Sequence, residues 1–169
     1  MPPKAPQLLA GDTNVGLDLA QSDEWVIDAL STIRARLPDA SLLIPPTVAE
    51  ELAWLAGQAE EPEERLAAST FLRRHRDWGF ELIPTVPLGN AFVERVAGRL
   101  LERGLLPSTE RNDACILAEA AGLGCSVLLT SDEHLRAVDF ARLSLELAGF
   151  DLTAPIIATP REIIRKFFH

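Results

Sequence analysis

The sequence predicts an α/β fold in which a five-stranded, mostly parallel sheet lies between layers of helices (three-layer α/β/α). Segments with the pattern of strands alternate along the chain with segments of helical spacing, which is typical of a parallel sheet covered on both faces. The strand segments are short apolar runs, as expected for buried strands. No internal repeat, low-complexity segment or long Gly/Ser linker interrupts residues 1–169, so we expect a single domain.

The first half of the chain contains two of the predicted strands. The predicted elements are a strand at 6–11, a helix at 22–37, a strand at 40–45, and helices at 46–57 and 66–79. Ser22 is the expected N-cap of the first of these helices, and Gly57 is expected to end the second. An acidic, proline-containing stretch separates the second helix from the third.

The second half of the chain repeats the alternation and adds three strands. The predicted elements are a strand at 80–86, helices at 90–104 and 108–124, strands at 125–130 and 154–159, and a final helix at 160–168. Pro84 within the segment 80–86 and Pro87 just after it indicate a strand at the sheet edge, because proline cannot donate a ladder hydrogen bond. Gly122 or Gly124 is expected to end the helix before the fourth strand. Residues 140–152 mix both periodicities and predict neither state.

The composition is typical of a soluble, acidic protein. Hydrophobic residues make up 47% of the chain and charged residues 24%. No apolar run approaches the ~20 residues needed to span a membrane, and the first residues, which include Lys4, do not form a signal peptide. Cys115 and Cys125 are too few for a disulfide framework, so we expect two reduced thiols in a cytoplasmic protein.

The net charge argues against a protein whose whole surface binds nucleic acid electrostatically. Sixteen basic and 25 acidic side chains give a charge of −9, which repels a polyanion. Nucleic acid is not excluded by this balance, because carboxylates grouped around a bound cation attract phosphate once the metal is in place.

Two of the predicted strands end at aspartates. Asp12 follows the first strand, ahead of Thr13 and Asn14, and Asp132 follows the fourth strand, two residues after Thr130. Taken singly, each aspartate is typical of a turn or a helix N-cap. In parallel α/β sheets, ligands bind beyond the carboxyl ends of the strands, near the point where the strand order reverses. Both side chains are therefore expected at one edge of the sheet.

Two further carboxylates lie on the inward faces of predicted helices, near their starts. Thr47 and Glu50 fit a capping box, which assigns Glu50 a structural role. Glu51 instead shares the apolar face of its helix, and Asp113 shares the face of Ile116 on another. A lone aspartate in a first turn usually only complements the helix dipole. A glutamate on an apolar face requires a partner.

Considered together, the four acids predict a cation site. Carboxylates held close together destabilise one another unless some are protonated or a cation lies between them. No Cys/His ligand pattern is present, so a hard, oxygen-preferring ion such as Mg²⁺ or Mn²⁺ is the expected cofactor. Such an ion typically binds a phosphate oxygen and activates a water, so our hypothesis for the reaction class is in-line hydrolysis at phosphate.

The same stretches carry a family resemblance. The motifs are Asp12-Thr13-Asn14, Glu51-Leu52 after Val48, Arg111-Asn112-Asp113-Ala114 with Ile116 and Ala118, Thr130-Ser131-Asp132, and the ending at 156–168. In order and spacing, the chain resembles the PIN-domain family, metal-dependent ribonucleases best known as VapC-type toxins of toxin–antitoxin pairs. The resemblance covers nearly the whole chain and implies a single PIN-like domain over residues 1–169.

The resemblance also implies roles for individual residues. The implied metal-binding and catalytic residues are Asp12, Glu51, Asp113 and Asp132. The implied orienting or substrate-contacting residues are Asn14, Thr130 and Asn112. In the family such acids hold one or two Mg²⁺ or Mn²⁺ ions and direct an activated water at an RNA phosphodiester, which leaves a 5′-phosphate and a 3′-hydroxyl. A cognate antitoxin and a homodimer are implied in the same way.

The chain departs from the family pattern beside the first aspartate. Gly11 and Gly16 stand where the family more often has larger apolar residues. This difference predicts a looser exit from the first strand.

Three arginines on a predicted helix are candidate RNA contacts. Arg95, Arg99 and Arg103 recur every four residues, so they share a stripe that could lie against phosphates. Glu94 and Glu102 interleave with this stripe, and an ordinary solvated helix face is the alternative.

Two other function classes fit parts of the pattern. A haloacid-dehalogenase-like phosphatase also has an aspartate after the first strand, but it requires a second aspartate two residues later, where this chain has Asn14. A catalytically silent PIN-like module that binds RNA or protein would keep the acids without a productive groove, and the net charge is consistent with it. A Mg²⁺- or Mn²⁺-dependent endoribonuclease remains the first choice, and metal binding without cleavage would favour the module.

Overall fold

The computed structural model describes residues 5–168 and contains a five-stranded sheet in which all neighbouring strands are parallel. The strands are β1 (Leu8–Gly11), β2 (Ser41–Ile44), β3 (Phe80–Leu82), β4 (Val127–Leu129) and β5 (Ile156–Ala158). The helices are α1 (Thr13–Ala20), α2 (Glu24–Arg36), α3 (Pro46–Gln58), α4 (Pro62–Arg74), α5 (Asn90–Glu102), α6 (Arg111–Gly122), α7 (Glu133–Arg136), α8 (Phe140–Ala148) and α9 (Pro160–Phe168). The predicted α/β fold is confirmed. The signal-peptide expectation rests partly on residues 1–4, which lie outside the described residues, as does residue 169.

The strand order β3-β2-β1-β4-β5 places β1 at the centre of the sheet. The chain first builds outward through β2 and β3, and then crosses to the other side of β1 for β4 and β5, so the order reverses between β1 and β4. Gly11 pairs with Leu129, and the Asp12 amide donates to the Leu129 carbonyl at 3.0 Å. Asp12 and Thr130 therefore leave the sheet side by side at its topological switch point.

Burial explains why the strand segments show no alternation of apolar and polar residues. Leu9 and Ala10 in β1 and Leu128 in β4 are each 1% exposed or less, although neighbouring strand residues point to opposite faces. Helices α2 and α9 pack together, and a cleft of about 400 Å³ between them and the sheet is lined by Leu9 and by Ile163. Strand β3 lies at a sheet edge, as predicted, and it ends at Leu82, before Pro84.

Several helix boundaries differ from the predictions, and α4 ends at Arg74 and not at residue 79. Asp23, and not Ser22, is the N-cap of α2, because its carboxylate accepts a hydrogen bond from the Val26 amide at 3.1 Å while Ser22 has a φ of 62°. Gly57 does not end α3, which continues for one more residue. Helix α4 begins earlier than expected, at Pro62, where a proline in the first turn loses no hydrogen bond.

Three segments that were not predicted to be helical form α1, α7 and α8. Asp12 begins α1 by accepting from the Thr13 amide at 2.7 Å. Asp139 begins α8 by accepting from the Arg142 amide at 2.8 Å. Only Leu143 and Leu147 of α8 are buried, so its apolar stripe is too narrow to dominate the mixed pattern of residues 140–152.

The two glycines beside Asp12 accommodate aromatic rings. A Cβ at Gly11 would lie 3.0 Å from the ring of Phe80, and a Cβ at Gly16 would lie 3.2 Å from the ring of Phe71. Both rings are buried, and they meet edge to face with their centroids 5.7 Å apart. The expectation of a looser strand exit is wrong, because the rings fill the space that larger residues would take.

Membrane and thiol features agree with the composition. Among residues 5–168, no helix combines the length and apolarity that a membrane crossing requires. Cys115 and Cys125 are free and buried, and burial raises the pKa of their thiols to about 11 and about 12, so both remain protonated at neutral pH.

Candidate active site

Asp12 stands at the centre of a hydrogen-bonded cluster at the carboxyl edge of the sheet. Its backbone is extended, and its side chain is only 4% exposed. One carboxylate oxygen accepts from the Thr13 amide at 2.7 Å, and the other accepts from the Thr130 hydroxyl at 2.6 Å. The strand exit therefore fixes the orientation of this carboxylate.

The turn after β4 joins the cluster through Thr130, which is fully buried. While its hydroxyl donates to Asp12, the same oxygen accepts from the Asp132 amide at 3.0 Å. Asp132 Oδ1 caps α7 by accepting from the amides of residues 134 and 135 at 2.8 and 3.1 Å. The Asn14 side-chain oxygen accepts from the Ser131 amide at 3.2 Å, which ties α1 to this turn.

Glu51 connects α3 to the same cluster. Its carboxylate accepts from the Thr13 hydroxyl and from the Asn112 side-chain amide, the second at 2.9 Å. Glu50, one residue earlier, is exposed. Of the two adjacent glutamates, Glu51 is therefore the one that faces the cluster, while Thr13 holds both Glu51 and Asp12.

The predicted capping box at the start of α3 is wrong. Pro45 is the N-cap residue, and no side chain from α3 itself caps the helix. The Thr47 amide and hydroxyl instead donate to the carboxylate of Glu119, the amide at 3.0 Å to each oxygen and the hydroxyl at 2.6 Å. A residue of α6, 72 positions away, thus caps α3.

Glu119 is a residue of the site region that the sequence reasoning missed. It is 4% exposed, and burial raises its pKa although the two hydrogen bonds from Thr47 oppose the shift. The available signal was a single glutamate within the otherwise apolar segment 114–121 of α6. Such a buried acid requires a hydrogen-bond partner.

Burial and neighbouring charges raise the pKa values of Asp12 and Asp113. Burial, followed by the charges of Asp132, Asp12, Glu110 and Glu51, raises the pKa of Asp113 to about 7. Burial also raises the pKa of Asp12 to about 6, against the hydrogen bonds from Thr130 and Thr13 and with the charges of Glu51 and Asp132. All four predicted acids therefore share one electrostatic environment, in which the protein's own groups do not balance their charge.

The donor set fits a hard divalent cation. Within residues 5–168, no three Asp, Glu, His or Cys side chains converge closely enough to enclose an ion by themselves. Mg²⁺ nevertheless keeps several waters and commonly binds through only one or two carboxylates. Crowded carboxylates with raised pKa values are the protein groups that such an ion would stabilise.

The predicted arginine stripe lies apart from this cluster. Arg99 and Arg103 form ion pairs with Glu146 of α8 at 3.3 and 3.6 Å. Together with exposed Arg95 they line a cleft of about 760 Å³ between α5 and α8, which none of the four acids borders. The positions of Arg99 and Arg103 favour the structural alternative, in which they hold α8 against α5.

The described residues define an α/β protein that gathers carboxylates and their hydrogen-bond donors at the switch point of a parallel sheet. Residues 11–141 match the model of the PIN domain, and the chain belongs to the PIN domain family. The family resemblance drawn from the motifs is thereby confirmed.

A solved structure has a similar fold. It is the crystal structure of VapBC2 from Rickettsia felis bound to a DNA fragment from their promoter. The match covers 90% of this chain and 98% of one chain of that structure, with a TM-score of 0.63 and 14% sequence identity. Comparison with the curated proteins gave no significant match.

Proposed function

We propose that this PIN-domain protein is a Mg²⁺- or Mn²⁺-dependent endoribonuclease. The observation that carries the proposal is the grouping of Asp12, Glu51, Asp113 and Asp132 at the switch point, where burial and the neighbouring charges raise the pKa values of Asp12 and Asp113. Members of the family are generally nucleases that use divalent metals, and this donor set suits that chemistry.

The four acids would hold the cation, and their neighbours would orient them. A bound divalent cation supplies charge stabilisation at the phosphodiester and activates the attacking water for in-line hydrolysis, the reaction that leaves a 5′-phosphate and a 3′-hydroxyl. Thr130 and the Thr13 amide fix both oxygens of Asp12. Supporting contacts of this kind typically change metal affinity or activity 10- to 100-fold when they are removed.

Two amides serve as orienting residues in this proposal. Asn112 donates to Glu51 and fixes the oxygen that faces α6. Asn14 accepts from the Ser131 amide and so positions the turn that carries Asp132. We assign both residues to site geometry, whereas the acids contact the metal.

The biological setting that we propose is a toxin–antitoxin pair. The shared fold with a chain of the VapBC2 complex supports a protein partner for this chain. A cytoplasmic homodimer that an antitoxin inhibits is the expected assembly. Light scattering of the purified protein tests the homodimer, and a mass of one chain would contradict it.

Cleavage of a mixed pool of structured RNAs tests the proposed activity. We expect wild-type protein to cut RNA with Mn²⁺, to stop when EDTA is added, and to lose the activity in Asp113→Asn, because that carboxylate is central to the charge cluster. Calorimetric titration with Mn²⁺ runs in parallel. Metal binding without cleavage of any RNA would contradict the nuclease and favour the binding module.

A further inference from the structure

A second groove borders the acid cluster on its β4–β5 side. It has a volume of about 430 Å³ and lies between the start of α2, the turn after β4 and the start of α9. Ser131, which lies between Thr130 and Asp132, is part of its wall. Three exposed arginines line it: Arg136, Arg161 and Arg165.

Among the residues that the structure describes, no carboxylate forms a direct ion pair with any of these three arginines. Within residues 5–168, the arginines that do pair with a carboxylate are Arg74, Arg99, Arg103 and Arg111. Arg161 is held in place by the indole ring of Trp25, with its guanidinium carbon 4.5 Å from the ring centroid. A cation stacked on an aromatic ring keeps its charge and its outward donors.

Three carboxylates also line the groove, and two of them cap helices. Asp23 accepts from the Val26 amide at 3.1 Å to begin α2, and Glu162 accepts from the Thr159 amide at 2.8 Å to begin α9. Asp18 is half-buried on α1. The exposed donors of the groove are thus mainly guanidinium groups, which match phosphate oxygens in geometry and charge.

Ser131 and Arg136 place the groove beside the proposed catalytic acids. Arg136 follows Asp132 by four residues, which is a rise of about 6 Å along helix α7. A chain with a net charge of −9 repels RNA over most of its surface, so a strand that enters the acid cluster needs cations immediately outside it. This groove supplies three, whereas Glu146 occupies two arginines of the stripe on α5.

We infer that Arg136, Arg161 and Arg165 bind the backbone phosphates of the RNA strand on one side of the cleaved bond. The inference rests on the proposed ribonuclease function and adds to it the path of the substrate. The three arginines are substrate-positioning residues, and the RNA path runs over the β4–β5 side of the site and not along α5.

A charge-neutral triple variant tests this path. Arg136→Gln, Arg161→Gln and Arg165→Gln are combined in the Asp113→Asn protein, and binding of a labelled 12-nucleotide uridine RNA is followed by fluorescence anisotropy at several salt concentrations. We expect about tenfold weaker binding near 0.1 M salt and a salt slope lower by about 2, as three lost phosphate contacts on a single strand predict. When the three substitutions are made in protein with intact Asp113, the KM for RNA cleavage should rise about tenfold at unchanged kcat.

The matched control removes three positive charges near the amino-terminal ends of the strands, opposite the carboxyl ends that carry the acid cluster. Arg36, ahead of β2, and Arg73 and Arg76, ahead of β3, are exposed and are all changed to Gln. This control should bind RNA within about twofold of the parent protein. A lysine triple at the three groove positions keeps the charge and should retain most of the affinity, and thermal melts verify the folding of every variant.

The outcomes separate the RNA path from the nuclease function. Equal weakening in both glutamine triples, or no weakening in either, overturns the groove while leaving the nuclease intact. Binding of polyglutamate, which represents an acidic protein, is measured on the same variants. If the groove triple keeps its affinity for RNA but loses polyglutamate binding, the proposed RNA path is overturned and an acidic protein partner is indicated. Wild-type protein that neither binds nor cuts RNA contradicts the function and the groove together.

Discussion

At the scale of single residues, two adjacent glutamates have different environments. Glu51 accepts hydrogen bonds from Thr13 and Asn112, whereas Glu50 is exposed one position earlier on α3. The helical face predicted this difference, because Glu51 shares the inward stripe with Val48. The same pair therefore provides a site variant and its matched control, with equal change of charge and nearly equal position.

We expect Glu51→Gln to lower RNA cleavage about 100-fold, while Glu50→Gln retains the wild-type rate. The glutamine keeps the hydrogen-bonding shape but removes the negative charge that would help to hold the cation. Initial rates with saturating Mn²⁺ measure the effect, and a rise in the Mn²⁺ concentration required for half-maximal activity should accompany it. Equal losses in the two variants would remove Glu51 from the site.

The sequence indicated the four acids, but not the hydrogen bonds that acidic side chains accept around them. Asp12 and Asp132 could be located because strand exits of a parallel sheet share an edge. Glu119 could not be paired with Thr47, because the local motif Thr47-x-x-Glu50 offered a complete explanation within one helical turn, whereas Glu119 is 72 residues away. Glu119 is buried and must accept hydrogen bonds, so a contact between α6 and α3 replaces the local capping box that the sequence predicted.

At the scale of elements, the Glu119 carboxylate joins the start of α3 to the middle of α6. These helices carry Glu51 and Asp113, so their relative position sets the geometry of the acid cluster. Alanine at 119 would leave the Thr47 amide and hydroxyl without their acceptor, and an unsatisfied buried donor costs about 1–3 kcal/mol.

We expect Glu119→Ala to lower the free energy of unfolding by about 1–3 kcal/mol and to reduce cleavage at the same time. Glu119→Gln should lose less than half as much, because its amide oxygen still accepts from the Thr47 amide. Urea denaturation measures the stabilities, with exposed Glu50→Ala as the control expected within about 0.5 kcal/mol of wild type. If the alanine variant were as stable as that control, the hydrogen bonds between Thr47 and Glu119 would not contribute measurably to stability.

The elements themselves were predictable where one signal was strong. Alternating apolar strands and amphipathic helices gave the five strands and most helices, including α5 and α6. Helix α1 was missed because it has only eight residues, begins immediately after Asp12 and contains Gly16, a poor helix former. That glycine is required by its contact with Phe71, a partner 55 positions away that sequence periodicity does not report.

At the scale of the whole molecule, the acid cluster makes stability depend on pH. The pKa of Asp12 is raised from 3.8 to about 6, so the folded protein binds this proton more tightly than the unfolded chain does. The stabilisation is complete below about pH 4 and is lost as the pH rises through about 6. For this buried group the loss amounts to about 3 kcal/mol. Asp113, whose pKa is raised to about 7, shifts stability in the same direction at higher pH.

We therefore expect Asp12→Asn to gain about 2 kcal/mol of stability relative to the wild type as the pH rises from 4.5 to 8 in EDTA, because the rest of the effect is already lost below pH 4.5. The neutral amide has no proton to lose, so the wild type loses more stability than the variant over this range. Urea denaturation at pH 4.5, 6 and 8 measures the difference. Added Mn²⁺ should reverse it at pH 8, because a cation that binds only the folded, deprotonated cluster stabilises the wild type by mass action. A difference that stays constant across this pH range would show that burial and the neighbouring charges do not raise the pKa of Asp12, and the physical basis for placing a cation beside it would be lost.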